Sequence, residues 1–167
     1  MNLFLLRHGI AVEAGTTGYE KDADRPLTPK GERRLERITD AMEAMKLKFD
    51  LILSSPYVRA RQTAEIIANG LGLKKKLEFS DDLVPGGSGR AVVALLNKLE
   101  PLPANILLVG HEPFMSEFVS TLSSGDARVA IDFKKGGLCK LEIETLRPGR
   151  CATLAWLLTP RQMGLMT

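Results

Sequence analysis

Short unbroken apolar runs alternate along this chain with longer stretches in which apolar residues recur every three or four positions. Runs of the first kind mark strands buried on both faces, and the second pattern marks helices with one covered face. Residues 2–6, 49–53, 77–79 and 105–109 read as such strands, the last of them strongly apolar. After Thr28 as cap and Pro29 as first helical residue, Leu35, Ile38, Met42 and Met45 share one helical face. Ser55 and Pro56 predict a similar start for a helix through Ala64, Ile67 and Ala68, stopped by Gly70-Leu71-Gly72. Further helices are expected over 91–99 and from Pro113 through Phe114, Phe118, Val119 and Leu122.

The last third changes period. Residues 129–133, 138–143 and 153–158 read as strands joined by Lys135-Gly136-Gly137 and Arg147-Pro148-Gly149 turns, hence an antiparallel hairpin element. Residues 9–25 have no clear period and read as a loop over the edge of the first strand. The stretch from Asp81 to Gly89 is acidic, then glycine-rich, and reads as a flexible loop. The expected fold is α/β: a three-layer sandwich, with a mostly parallel sheet, helices on both faces and the antiparallel C-terminal hairpin element. A length of 167 residues suits one domain over 1–167 with one full core.

Composition narrows the partners. The net charge of +3 tolerates anionic substrates but lacks the dense basic stripe of a nucleic-acid binder. The run Lys74-Lys75-Lys76 reads as a solvated turn after a helix, and no aromatic residues interleave with basic ones. No nucleic-acid partner is expected. Cys139 and Cys151 are two unclustered thiols that suit a reducing compartment, and their pattern leaves open whether they are neighbours on adjacent strands. The apolar run 3–6 is too short for a signal peptide, and no stretch approaches ~18 apolar residues. The expectation is a cytoplasmic chain with no membrane partner, and a monomer.

The chain has only two histidines, and each closes an apolar run: His8 in Leu6-Arg7-His8-Gly9, and His111 after Ile106-Leu107-Leu108-Val109-Gly110. Arg59 falls in the first turn of the helix after the second strand. Open α/β sheets bind ligands in a crevice at the strand C-termini. Neighbouring strands would therefore gather His8, Arg59 and His111 there, with Arg7 as a fourth. Two helix N-termini would point free N–H groups at the same spot. His8 alone reads more readily as a structural residue, and His111 alone reads equally well as structural or functional; joint placement with Arg59 turns both toward function. A neutral imidazole can attack phosphorus, and guanidinium forks match phosphate oxygens. A protonated His111 would add a donor, and Gly9 would let the backbone pass close to the phosphate.

These residues carry a resemblance. The segments Leu6-Arg7-His8-Gly9, Asp24-Arg25-Pro26-Leu27-Thr28-Pro29-Lys30-Gly31, Ser54-Ser55-Pro56-Tyr57-Val58-Arg59-Ala60-Arg61-Gln62-Thr63-Ala64-Glu65 and Val109-Gly110-His111-Glu112-Pro113 occur in the order found in the RHG-motif histidine phosphatases. The chain resembles that superfamily, of phosphoglycerate mutase-like fold, and within it the small SixA-type phosphohistidine phosphatases. The resemblance covers nearly the whole chain. It implies His8 as catalytic nucleophile and Arg7, Arg59 and His111 as the catalytic phosphate pocket. It also implies a phosphorylated protein, such as a histidine phosphotransfer domain, or a small phosphate ester as partner. The mutase branch continues its first motif with a serine and a Trp-Asn pair, where this chain reads Ile10-Ala11-Val12-Glu13. The large insertion that caps the mutase site is absent, so an open, shallow site is expected.

Glu112, Asp81 and Asp82 are candidate proton donors, each with a plainer reading at a helix start or in a solvated turn. Arg61 is expected at the surface, and Arg25 either pairs locally with Asp24 or lines the pocket. Competing chemistries find little support. Thr145 and Leu157 stand where a Cys-x5-Arg motif needs arginine, no nucleotide-binding Gly-x4-Gly-Lys loop is present, and Met115 replaces the second histidine of a zincin helix. Neither metal nor cofactor is expected.

Overall fold

The computed structural model describes all 167 residues. Strands β1 (Asn2–Arg7), β2 (Leu51–Ser54), β3 (Leu77–Phe79), β4 (Asn105–Gly110), β5 (Leu138–Ile143) and β6 (Ala152–Leu158) form one sheet in the order β3-β2-β4-β1-β5-β6. The first four run parallel, whereas β5 is antiparallel to β1 and β6 to β5. Helices α1 (Pro29–Ala44), α2 (Val58–Gly70), α3 (Gly89–Leu96), α4 (Phe114–Ser124) and the short α5 (Pro160–Met163) complete the α/β fold. No helix is long and apolar enough to cross a membrane.

Successive strand residues feed opposite cores, as the two-residue period of a strand requires. Phe4, Leu6, Ile52, Leu107 and Val109 pack with Leu35, Ile38 and Met42 of α1 and Ala64, Ile67 and Ala68 of α2. Leu3, Leu5, Leu53, Ile106 and Leu108 pack on the other face with Val92 and Leu96 of α3 and Phe118 and Val119 of α4. Phe49 closes the first core, edge-on to Phe4 at 5.1 Å between ring centroids. Truncating such a buried ring to alanine costs ~3–5 kcal/mol.

This layering positions the site. The helices that follow β1 and β2 lie on one face of the sheet, and α4, which follows the strand between them, lies on the other. Connections that leave adjacent strands toward opposite faces open a crevice at the strand C-termini.

Three local expectations are corrected. Residues 129–133 form no strand: they reach the C-terminal end of β1, whose two sides are taken by β4 and β5, and pair with no strand of the sheet. The segment instead crosses the sheet end with Phe133 buried. Helix α2 begins at Val58 without a side-chain cap, and Ser55 Oγ accepts a 3.3 Å bond from the Tyr57 N–H outside the helix. The glycine-rich stretch ends as an ordered cap, since Ser88 Oγ accepts from the Ala91 N–H and α3 starts at Gly89. The cysteines are not cross-strand neighbours: Cys139 lies opposite Leu157, and Cys151 precedes β6.

Candidate active site

His8 and His111 leave the sheet side by side. Leu6 is in register with Val109 and Arg7 with Gly110, so the next residues of β1 and β4 emerge together, with ring centroids 5.1 Å apart. Arg59, in the first turn of α2, donates from Nε to His8 Nε2 at 3.2 Å. All three side chains are buried. Ser55, just beyond β2, sets Oγ 2.8 Å from His111 Nε2. The Tyr57 ring lies edge-on to His111 at 5.4 Å and beneath the Arg59 guanidinium at 5.5 Å. Arg7 donates from one terminal nitrogen to the Phe133 carbonyl at 2.7 Å, and its charge, like that of Arg59, acts on both imidazoles.

Protonation follows from these partners. A guanidinium can only donate, so His8 Nε2 is the acceptor and carries no proton. The ring proton sits on Nδ1 and is donated to the Gly9 carbonyl at 2.7 Å. Burial drives the His8 pKa well below the ordinary value; the Gly9 carbonyl opposes this, while His111, Arg59 and Arg7 reinforce it. His111 is lowered to about 3, by burial first and then by Arg59. His111 is therefore a neutral ring, and the further donor that a protonated His111 would add is not available. Ser55 Oγ accepts from the Tyr57 N–H, and the one acceptor its own hydrogen meets is His111 Nε2; with that donation the His111 proton sits on Nδ1.

Two buried side-chain nitrogens in the molecule have no hydrogen-bond partner: Arg7 Nε and His111 Nδ1. An unsatisfied buried polar group costs ~1–3 kcal/mol. Both orphans belong to the one cluster, beside an unprotonated His8 Nε2, and both N–H groups suit an anion.

Asp22 was not anticipated. It lies in a short 3-10 turn, Asp22–Asp24, inside loop 9–25. Its Oδ2 accepts from Arg59 Nη2 at 2.9 Å, and its backbone carbonyl accepts from Arg59 Nη1 at 2.7 Å. Its Oδ1 accepts from Arg25 Nε and Nη2 at 2.9 and 2.7 Å. Burial pushes the Asp22 carboxyl upward, but the hydrogen bonds from Arg25 and Arg59 outweigh it and hold the group below the usual range. Asp22 thus occupies both terminal nitrogens of the Arg59 guanidinium. Arg25 pairs with this residue rather than with Asp24. Thr63 was also missed: its Oγ1 donates to the Arg59 carbonyl at 2.7 Å and accepts from the Gly9 N–H at 3.0 Å, tying α2 to the segment after β1.

Sequence comparison places this geometry. The profile of the histidine phosphatase superfamily (branch 1) matches residues 3–84. The chain is 30% identical over 128 residues to phosphohistidine phosphatase SixA of Escherichia coli strain K12, covering 75% of this chain and 76% of that protein. The chain belongs to the histidine phosphatase superfamily. It is also 39% identical over 142 residues to an uncharacterized protein of Picosynechococcus sp., covering 84% of each. A solved structure of protein histidine phosphatase SixA complexed with tungstate superimposes with a TM-score of 0.78 at 25% identity, over 96% of this chain and 98% of that one. The fold is the phosphoglycerate mutase-like one, and a phosphatase hydrolase is the activity these relations support.

The remaining candidate residues sort by position within this histidine phosphatase. Gly9 answers to packing: a Cβ there would meet Leu35 Cδ1 of α1 at 2.7 Å. Arg61 is half exposed and faces Glu65 at 3.8 Å. Glu112 Oε1 accepts from the Ser116 N–H at 2.9 Å in the first turn of α4, and its charge reaches Arg7. Asp82 meets Ser80 Oγ at 3.4 Å, and neither it nor Asp81 hydrogen-bonds or forms an ion pair with a residue of the cluster.

Proposed function

We propose that this chain hydrolyses phosphohistidine carried on a protein, with His8 as nucleophile and Arg7, Arg59 and His111 as phosphate ligands, in a single domain over residues 1–167. The observation that carries this reading is the orphan pair, Arg7 Nε and His111 Nδ1, beside the unprotonated His8 Nε2. The similar SixA structure holds tungstate, a tetrahedral oxyanion like phosphate, which supports the same use of this cluster.

The substrate phosphoryl group displaces Asp22 from the Arg59 fork and satisfies both orphans. The Nε2 lone pair forms a bond to phosphorus as the bond from phosphorus to the substrate imidazole breaks; the bonding pair returns to the departing nitrogen, and the substrate ring, protonated on its other nitrogen, leaves as neutral imidazole. Imidazolium has a pKa near 6.5, so this leaving group needs far less acid assistance than an alkoxide. Water then attacks phosphorus and the His8 N–P bond breaks. Nε2 regains its lone pair, and the phosphate leaves with the oxygen and protons of water. The guanidinium donors hold the phosphoryl oxygens as charge shifts among them. For an alkyl ester, Glu112 is the carboxyl placed to supply the missing proton. The scheme calls on no metal or cofactor, and the cytoplasm, with its reducing poise, is the compartment we assign.

The test compares a phosphorylated histidine phosphotransfer domain with a panel of sugar and nucleotide phosphates, for the wild type and His8→Asn. The expected result is a kcat/KM at least about a hundredfold higher on the phosphoprotein, a margin reflecting the better leaving group, and loss of both activities in the variant. Comparable rates on monoesters would make the chain a small-molecule phosphomonoesterase. Phosphate binding without turnover would make it a binding module.

A further inference from the structure

A cavity of about 910 Å³ opens beside the cluster, with Arg7 and Ile10 in its wall. The wall also carries Arg34 and Arg37 of α1, Lys134 and Lys135 of the segment before β5, and Arg161 of α5. Six cationic side chains there face one carboxylate, Asp132, which is already paired with Lys134 at 2.6 Å. That excess is larger than the +3 of the entire chain, so the rest of the molecule is net acidic and the positive field is concentrated at this place. Arg34, Arg37, Lys135 and Arg161 form no ion pair within the protein. The cavity and the imidazole cluster share a wall. The Phe133 carbonyl holds Arg7, and the Gly136 N–H donates to the carbonyls of Arg7 and His8 at 3.0 and 3.2 Å.

We propose that this basic cavity docks acidic side chains of the protein that bears the phosphohistidine, a specificity site that rests on the phosphoprotein reading above. The unpaired cations come from three separate elements, and all but Arg34 are exposed. A single small anion calls for converging, desolvated donors such as those around His8. Dispersed cations on long solvated stems instead suit several spaced carboxylates on a folded surface, where they steer encounter and fix orientation. The cavity therefore acts on substrate capture and leaves the phosphoryl step to the buried cluster.

The quadruple variant Arg34→Gln, Arg37→Gln, Lys135→Gln and Arg161→Gln tests this on two probes, an acidic phosphohistidine protein and free phosphohistidine. On the protein, kcat/KM is expected to fall about tenfold or more through KM, and its dependence on ionic strength to flatten. On free phosphohistidine the change stays within about twofold, because the lost charges are screened from a small ligand at His8. Unchanged kcat/KM on the phosphoprotein would overturn the docking site while leaving the proposed activity intact. Equal losses on both probes would overturn it as well, placing the effect in the chemistry. A wild type that cleaves monoesters but not the phosphoprotein would overturn the activity and the docking site together.

Discussion

The two sides of Arg7 are built on opposite principles. On one side, His8, Arg59 and His111 are buried, close-packed and hydrogen-bonded through defined contacts. On the other, four unpaired cations line a wide, solvated cavity. Burial makes a polar contact strong and an unmade one costly, so the first side can hold protons and charge at defined atoms. Solvation makes each cation individually weak and leaves the second side only collective attraction. Substitutions on the two sides should accordingly be told apart by which kinetic constant moves and on which substrates.

Arg59→Ala and Arg7→Ala are expected to lower kcat about a hundredfold or more on every substrate, as removal of a preorganised oxyanion donor does. A loss appearing only in KM would erase the contrast. Ser55→Ala leaves His111 Nε2 buried without a partner and frees the ring to change tautomer. A drop of about tenfold in kcat/KM on large and small substrates alike is expected from a group of that value. Asp22→Asn should act in the opposite direction. It removes the carboxylate charge that competes for the Arg59 fork, so inorganic phosphate should inhibit about threefold more strongly, the modest size reflecting an ion pair that is half exposed on the Asp22 side. Weaker phosphate inhibition would show that Asp22 supports Arg59 rather than competing with an anion.

The arrangement of strands was legible from the sequence because unbroken apolar runs have few other uses. The parallel β1, β2 and β4 and the C-terminal hairpin lie where those runs and the Gly-rich turns put them, within a residue or two at each end. Residues 129–133 have the alternation of a strand, but pairing depends on which strand the segment passes in the fold, here a β1 already paired on both sides, and no local pattern records that. Ser55 reads as a cap in isolation, and only the tertiary position of His111 redirects its hydroxyl. In the site, residues at strand ends were visible by position. Asp22 was not, because loop 9–25 has no period by which one carboxylate among several can be ranked. Thr63 carried a usable signal: it stands four residues after Arg59, on the same face of α2.

The smallest expected effect concerns pH, and with only two histidines it can be read residue by residue in a nitrogen NMR titration of the free protein. Neither imidazole should take up a proton between about pH 8 and 5.5, since both folded pKa values lie below the unfolded 6.5. The sign for stability follows. Below about pH 6.5 the unfolded chain binds protons that the folded chain refuses, so unfolding becomes easier as the pH drops toward about 3, where His111 titrates. Above pH 6.5 this contribution is flat. A histidine titrating near 6.5 in the folded protein would mean that the buried side is wet, and the comparison with the cavity would lose its basis.

The central claim is that His8 Nε2 forms a bond to phosphorus. The direct measurement is rapid mixing of the protein with a phosphohistidine substrate, an alkaline quench that preserves phosphoimidazoles, and peptide mass spectrometry. The account predicts a transient phosphoryl group on His8 that decays as inorganic phosphate appears, and none in His8→Asn. Phosphate released with no label on His8, or a label on any other residue, would contradict it.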